Sequence, residues 1–559
     1  MFQIPKTQIN QFKVNPVAYF CLEFGLESDL RTYAGGLGIL AGDTAKAATD
    51  AGVPFIGISL LYHGGYFKQT IDQLKNVQIE STDTNDFRKY LELTDFKLKI
   101  QLKGQEINAI VWKYNLNGNG VYFIDTNIVE NNDFYRSISD QLYSTSSQIR
   151  TYQELVLGFG GLELVKILGG QNLWKNYTIH LNESNAAFAL VGLFREGLGL
   201  EEIKNNLLFS THTPILAGHK VYQISDLIPY FEEKELDYIR SFSKDNGSTL
   251  NLTLFCLDHA GFTNGVAKRH MEVSQNMYPG HKINFITNGI HSSTWVGSRK
   301  GVLFDKYLPG WRGDTTLLRG CYNINNFELE NAHLESKEDL KAMILETTGH
   351  DNFQTHTFTI GFARRIDPYK RHDFIVRNLP RLQQLAAKFD GLQLVIAGKA
   401  YPGNGGEDSV LNNLLEKMAQ NGSPQLKIYF IPDYSMDISR IMVSGSDLWL
   451  NNPIKPLEAC GTSGMKAQLN GVPNISTLDG WWVEGHLEDV TGWSIGDSVP
   501  GTNERAEQDE LFWKLEYNIL PTFYTDSAKW IRIMKNCIAL NGVYFSAQRM
   551  VNEYYKGAK

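Results

Sequence analysis

The chain is punctuated by short apolar runs, each ending in a polar or glycine-containing loop that gives way to a helix-like segment. The runs are Tyr177-Thr-Ile-His-Leu, Leu207-Leu-Phe, Thr357-Phe-Thr-Ile-Gly, Leu392-Gln-Leu-Val-Ile-Ala, Leu426-Lys-Ile-Tyr-Phe and Asp447-Leu-Trp-Leu. Strands apolar on both faces are those of parallel sheets covered by helices, so the pattern predicts a doubly wound α/β fold. In such sheets ligands bind beyond the carboxyl ends of the strands, and the unusual residues of this chain collect at those places.

A chain of 559 residues exceeds one hydrophobic core and fits two large domains or three smaller ones. The first is expected over residues 1–296, with an antiparallel excursion around 77–127. There Phe96-Lys-Leu-Lys-Ile-Gln-Leu alternates, and Asn117-Gly118 and Asn119-Gly120 signal turns. The second is expected over 297–520, with the boundary near Trp295 to Tyr307. A helix-like, aromatic-rich segment over 521–559 closes the chain and can cross back to the first domain.

A hydrophobic fraction of 42% and a charged fraction of 20% describe an ordered globular chain. The net charge of −8 leaves no basic footprint for nucleic acid. Five scattered cysteines without CxxC spacing argue against disulfides and a zinc site, and so for a reducing, cytoplasmic setting. The opening Met1-Phe-Gln-Ile-Pro-Lys-Thr-Gln has no apolar core of a leader, and the run Leu155 to Leu168 is broken by Glu163 and Lys166, so no membrane association is expected.

The most localised chemical signal is Glu458-Ala-Cys-Gly-Thr-Ser-Gly-Met-Lys466. Gly461 and Gly464 allow a sharp turn into a helix start whose N–H groups make an anion cradle, and Lys466 adds a cation or a Schiff-base amine. The competing reading is a plain glycine-rich loop with a solvated lysine. A second signal is Gly361-Phe-Ala-Arg364-Arg365-Ile-Asp-Pro-Tyr369-Lys370-Arg371, with four cations within eight residues at a strand end. That density suits two phosphate groups, against the alternative of a solvated basic face.

Tyr33-Ala-Gly35-Gly36-Leu37-Gly38 opens a helix without dinucleotide-binding spacing. Either close approach of a sugar or phosphate or tight helix packing explains it. His180-Leu-Asn182-Glu183-Ser-Asn185, Ser210-Thr-His212-Thr213 and Thr287-Asn288-Gly289 each end a strand in groups able to bind hydroxyls, though such loops are more often turns or caps. No HExxH or paired-histidine spacing points to a metal, and no GxSxG elbow to a serine hydrolase.

Taken in order, these segments resemble the α-glucan phosphorylase family, and the compact bacterial and archaeal branch in particular. The resemblance runs from Tyr19-Phe-Cys-Leu-Glu-Phe through the glycine loop, Leu181–Phe188, Ser210–Pro214, Phe262-Thr-Asn-Gly-Val-Ala, Thr287–Trp295, Phe362–Arg371, Ala397-Gly-Lys-Ala-Tyr-Pro, Asp433-Tyr434 and Glu458–Asp479. It implies two Rossmann-like domains of GT-B architecture with an interdomain active-site cleft, and retaining transfer of a glucosyl unit from a glucan end to inorganic phosphate, giving glucose 1-phosphate.

The resemblance also implies pyridoxal 5'-phosphate carried by Lys466, whose phosphate rather than aldehyde serves the reaction. Arg364 matches the position that binds that phosphate, and Arg365 and Lys370 match substrate-phosphate ligands. Gly461 and Thr462 line the same anion site, with Tyr434 and Trp295 near the cofactor. Glu458, Cys460 and Asn288 match sugar contacts, Gly36 and Leu37 belong to the loop over sugar and phosphate, and Glu183, Asn185 and His212 are further substrate candidates.

Three positions depart from the family pattern. Asn185 stands where Leu-Asn-Glu-Gly-His has histidine, Arg364 replaces the lysine of the long enzymes, and Cys460 replaces a serine. Expected partners are glucan and phosphate, and a homodimer is common among relatives. A nucleotide-sugar glycosyltransferase of the same architecture and a non-catalytic glucan-binding paralogue remain as alternatives.

Overall fold

The computed structural model describes residues 15–71, 77–80, 86–170, 173–400, 405–497, 501 and 503–556. The opening octapeptide and Tyr401-Pro402, both used in the sequence reading, lie outside them. The chain is mixed α/β and divides into two compact units. Unit 1 holds the described residues of Met1–Phe67, Ser81–Thr287 and Gln548–Lys559, and unit 2 those of Lys68–Glu80 and Asn288–Ala547.

Unit 1 is built on nine strands: β1 (Val17–Phe20), β2 (Phe55–Leu60), β3 (Glu92–Leu102), β4 (Gln105–Leu116), β5 (Asn119–Asp125), β6 (Thr178–Asn182), β7 (Leu207–Thr211), β8 (Phe262–Gly265) and β9 (Asn284–Phe285). Their order is β9-β8-β7-β6-β1-β2-β5-β4-β3. Pairings from β9 to β5 are parallel, and β5-β4-β3 form an antiparallel edge. The alternation in β3 is its pleat: Leu98, Ile100 and Leu102 are buried while Lys97, Lys99 and Gln101 face solvent. The parallel strands β1, β6 and β7 are buried throughout, as helix-covered strands must be.

Unit 2 carries six parallel strands: β10 (Thr359–Ala363), β11 (Leu392–Ala397), β12 (Leu426–Ile431), β13 (Leu448–Asn451), β14 (Asn474–Thr477) and β15 (Gly492–Ile495). Their order is β12-β11-β10-β13-β14-β15. That is the 3-2-1-4-5-6 order of a doubly wound dinucleotide-type sheet, in which the direction of winding reverses between the first and fourth strands. The chain leaves β10 into Arg364 and leaves β13 into the loop that reaches Glu458 and Lys466, so the two signal motifs flank the switch point. In unit 1 the reversal falls between β1 and β6, which lead into Glu23 and Glu183.

Beneath the unit 2 sheet, the N-terminal ends of β10 and β13 are tied by a buried charge network. Asp447 accepts from Thr359 N at 2.8 Å, from Lys337 Nζ and from His333 Nε2 at 2.8 Å, and Lys300 Nζ reaches His333 Nδ1 at 3.1 Å. Burial lowers the Lys300 ammonium to about 7 and the His333 imidazole to about 4. The network is therefore one carboxylate shared by Lys337 and a neutral histidine.

Candidate active site

Gly461 precedes the helix Thr462–Leu469 with φ +88°, a left-handed conformation that favours glycine, and no side chain caps that helix start. The first-turn N–H groups therefore point outward without a capping side chain, as an anion site requires. Gly480, at φ +54°, closes the other side: a Cβ there would lie 2.3 Å from the Cys460 carbonyl oxygen. Cys460 is buried, and its carbonyl accepts from Trp481 N at 3.0 Å.

Arg364 follows β10 directly and is buried. Its Nη2 donates to Glu458 Oε2 at 2.6 Å, while Nη1, equally buried, has no hydrogen-bond partner among the described residues. A Cβ at Gly461 would lie 3.5 Å from Arg364 Nη2, so the uncapped helix start and the guanidinium share one space. An orphaned guanidinium N–H beside free amides is a donor set waiting for an anion.

Lys370 and Arg365 add charge to the same place. Lys370 is half-buried, and burial together with the Arg364 charge lowers its ammonium to about 7. Arg365 is exposed, pairs with Asp367 at 3.0 Å, and contributes to the potential at both Lys370 and Glu458. Burial opposes ionisation of Glu458, yet the Arg364 and Lys370 charges outweigh it and hold the carboxyl below its ordinary range. The fourth cation of the run turns elsewhere. Arg371, at φ +52°, donates to the Asn452 carbonyl and pairs with Glu507, both within the protein interior.

Lys466 is buried, and its Nζ lies 3.3 Å from the centroid of the Trp295 indole, itself almost fully buried. Tyr434 is half-buried, bonds Ser439 Oγ at 2.9 Å, and feels the Arg364 charge; burial pushes its phenol up to about 12. Thr462 is the first residue of the helix, and Asn288 is buried in the loop after β9. Unit 2 thus contains Arg364, Arg365, Lys370, Tyr434, Glu458, Cys460, Gly461, Thr462, Lys466, Trp295 and Asn288.

The remaining sequence candidates lie in unit 1. Glu183, with φ +70°, buries its carboxylate against Ser184 N, His212 N and Thr213 Oγ1, and burial raises its carboxyl above the usual range. This left-handed backbone lies at the end of a parallel strand and is held there by the hydrogen bonds of the buried carboxylate. His212 bonds Asn182 Oδ1 at 2.6 Å, and burial drops its imidazole to about 3, so the ring is a neutral donor. Asn185 is half-buried and bonds the buried Glu154, which also holds Lys220 and Tyr222.

Sequence reasoning gave no role to Glu23. Its Oε2 accepts from Ala34 N at 2.6 Å and Gly35 N at 3.2 Å, and its Oε1 from Tyr143 Oη at 2.6 Å. Glu23 therefore holds the loop that leads into Gly36 and Leu37, the first residues of the helix Gly36–Asp50. Its signal was position alone: an acid just beyond the carboxyl end of β1.

The family model for carbohydrate phosphorylases matches residues 218–491. A maltodextrin phosphorylase of Thermococcus litoralis is 35% identical over 590 aligned positions, covering 96% of this chain and 70% of that protein. A glycogen phosphorylase of Aquifex aeolicus is 31% identical, covering 96% and 85%. An uncharacterized protein of Methanocaldococcus jannaschii is 30% identical, covering 97% and 99%. The chain belongs to the carbohydrate phosphorylase family.

Proposed function

We propose that the chain is a retaining α-1,4-glucan phosphorylase that moves a glucosyl unit from a glucan end to inorganic phosphate, with pyridoxal 5'-phosphate as cofactor. The observation that carries this reading is the shared space of the Gly461 helix start, the orphaned Arg364 Nη1 and the half-buried Lys370, all at a sheet switch point that also leads to a buried lysine. Two Rossmann-like domains of GT-B architecture belong to the same proposal, as does cytoplasmic location.

The residues fit the cofactor. Arg364 Nη1 and the first-turn amides of Thr462–Leu469 offer donors to one phosphate, and Lys466 offers a buried amine beside the flat Trp295 indole. When bound, the group supplies a second phosphate that exchanges a proton with the substrate phosphate. Arg365 and Lys370 bind the substrate dianion, whose arrival favours the charged form of Lys370. Glu458, ionised by its cationic neighbours, accepts hydroxyl hydrogen bonds from the sugar, and Asn288 and Cys460 line its side. In unit 1 the neutral His212, Glu183 and Asn185 serve the glucan, and the Glu23-held loop presents Gly36 and Leu37.

In the reaction the glycosidic C1–O4 bond breaks, a proton passes from the substrate phosphate to O4, and a phosphate oxygen bonds C1 on the same face. The fixed cations hold the phosphate beneath the ring, where its negative charge stabilises the developing oxocarbenium without reorganising at the moment of reaction. Release of α-glucose 1-phosphate from maltodextrin, dependent on inorganic phosphate, tests the proposal. Transfer of glucose from a nucleotide-sugar donor to glucan, with loss of the nucleoside diphosphate and no need for phosphate, would replace it with the glycosyltransferase reading, and glucan binding without turnover would replace it with the inactive-paralogue reading.

A further inference from the structure

Asn470 is fully buried at the C-terminal cap of the Lys466 helix, and its side-chain amide joins that helix to a distant loop. Nδ2 donates to the Trp295 carbonyl and to the Lys466 carbonyl, each at 2.9 Å, while Oδ1 accepts from Gly297 N at 2.8 Å. One planar group thus satisfies backbone atoms on either side of Val296 and on the residue that bears the amine. Only a carboxamide supplies two donors and an acceptor in that plane.

The residue whose backbone carbonyl is held by these bonds carries the indole on which Lys466 Nζ rests, 3.3 Å from its centroid. The loop has little freedom to slide, since a Cβ at Gly297 would already lie 2.6 Å from Ser444 Cβ. Trp295 and Lys466 are 171 residues apart in sequence, and nothing local sets their register. A buried, fully satisfied amide is the kind of group that does so.

We propose that Asn470 is the positioning residue that sets the Trp295 ring against the Lys466 amine and so presents the amine to its carbonyl partner. Naming that partner rests on the function proposed above; the clamp itself is a property of this chain's own residues. Asn470→Asp keeps the size and the acceptor but turns an oxygen toward two carbonyls. Asn470→Ala removes the clamp altogether.

The test has two readouts. In cofactor-free protein, trace acetylation by acetic anhydride followed by peptide mass spectrometry measures the reactivity of Lys466 relative to the exposed Lys244. In the same preparations, absorbance follows capture of added pyridoxal phosphate, with Lys466→Ala as the blank. The expected result for Asn470→Asp is about tenfold faster acetylation of Lys466, unchanged labelling of Lys244, and about tenfold slower capture, with a cooperative melt retained. Lys466 labelling and capture both within about twofold of wild type would overturn the positioning role, given the size of effect that small misplacements produce. Should Asn470→Ala fail to fold, the near-isosteric Asp variant carries the test. Wild-type protein that captures no cofactor while its Lys466 labelling still responds to Asn470→Asp would uphold the clamp and sink the proposed function instead.

Discussion

Arg364 and Glu458 form a buried ion pair at 2.6 Å that occupies only one side of the guanidinium, leaving Nη1 without a hydrogen-bond partner among the described residues. The pair fixes the arginine in place while keeping a donor in reserve. The same carboxylate is held ionised by that arginine, so each group sets the state of the other.

Removing one partner leaves a buried charge exposed to nothing. Arg364→Gln is expected to destabilise the fold by about 3–5 kcal/mol, and Arg364→Gln with Glu458→Gln by clearly less than the sum of the two single changes. Urea unfolding of the four proteins of the cycle checks this. Additive losses would show that the pair is not coupled.

The Glu458 carboxyl is held below its ordinary value in the fold. Its ionisation therefore stabilises the native state above the unfolded carboxyl's titration range, and that stability is lost as pH falls through the lower folded value. Wild type should accordingly lose more stability between neutral and acid pH than Glu458→Gln does. Parallel stability–pH curves would contradict it.

Lys370 has the opposite chemistry with the same sign of shift. Its folded value near 7, against an unfolded value of 10.5, means the native state releases its proton first, so this lysine's cost to stability is relieved as pH rises from about 7 through 10.5. A bound dianion restores the charge. Phosphate affinity should thus weaken as pH rises above about 7 in wild type, and Lys370→Ala should show a flatter dependence with weaker binding throughout. Calorimetric titration of phosphate across that range is the measurement.

Glu23→Ala strips acceptors from two loop amides and from Tyr143. These donors are half-buried, so water partly replaces the lost acceptor and the cost of each stays below the roughly 1–3 kcal/mol of a fully buried unmet donor. The expected outcome is a raised KM for phosphate and glucan with a folded protein, because the loop before Gly36 and Leu37 loses its anchor. An unchanged KM would assign Glu23 to stability alone.

Much of this was legible in the chain itself. The runs at 357–361, 392–397, 426–430 and 447–450 fall on four neighbouring strands of the unit 2 sheet, from the edge strand β12 inward to β13, because buried parallel strands leave an unmistakable apolar signature. The glycine turn before Lys466 and the cation run after β10 were visible because their chemistry is local in sequence. What was hidden depends on contacts between distant residues. Glu23 reaches the amides of Ala34 and Gly35, Asn470 reaches Trp295 and Gly297, and Arg371 abandons its neighbours for Asn452 and Glu507. The hairpin of Lys68–Ile71 and Val77–Glu80 likewise belongs to unit 2, where Gln69 bonds Gly398 O and Ala400 N. No periodicity records such pairings.

The central claim is that Lys466 carries the cofactor through its side-chain amine. Borohydride reduction of protein loaded with pyridoxal phosphate, then peptide mass spectrometry, tests it directly. The account predicts a phosphopyridoxyl adduct on the peptide containing Lys466, absent from Lys466→Ala. An unmodified Lys466 peptide from fully loaded, active wild-type protein would contradict it.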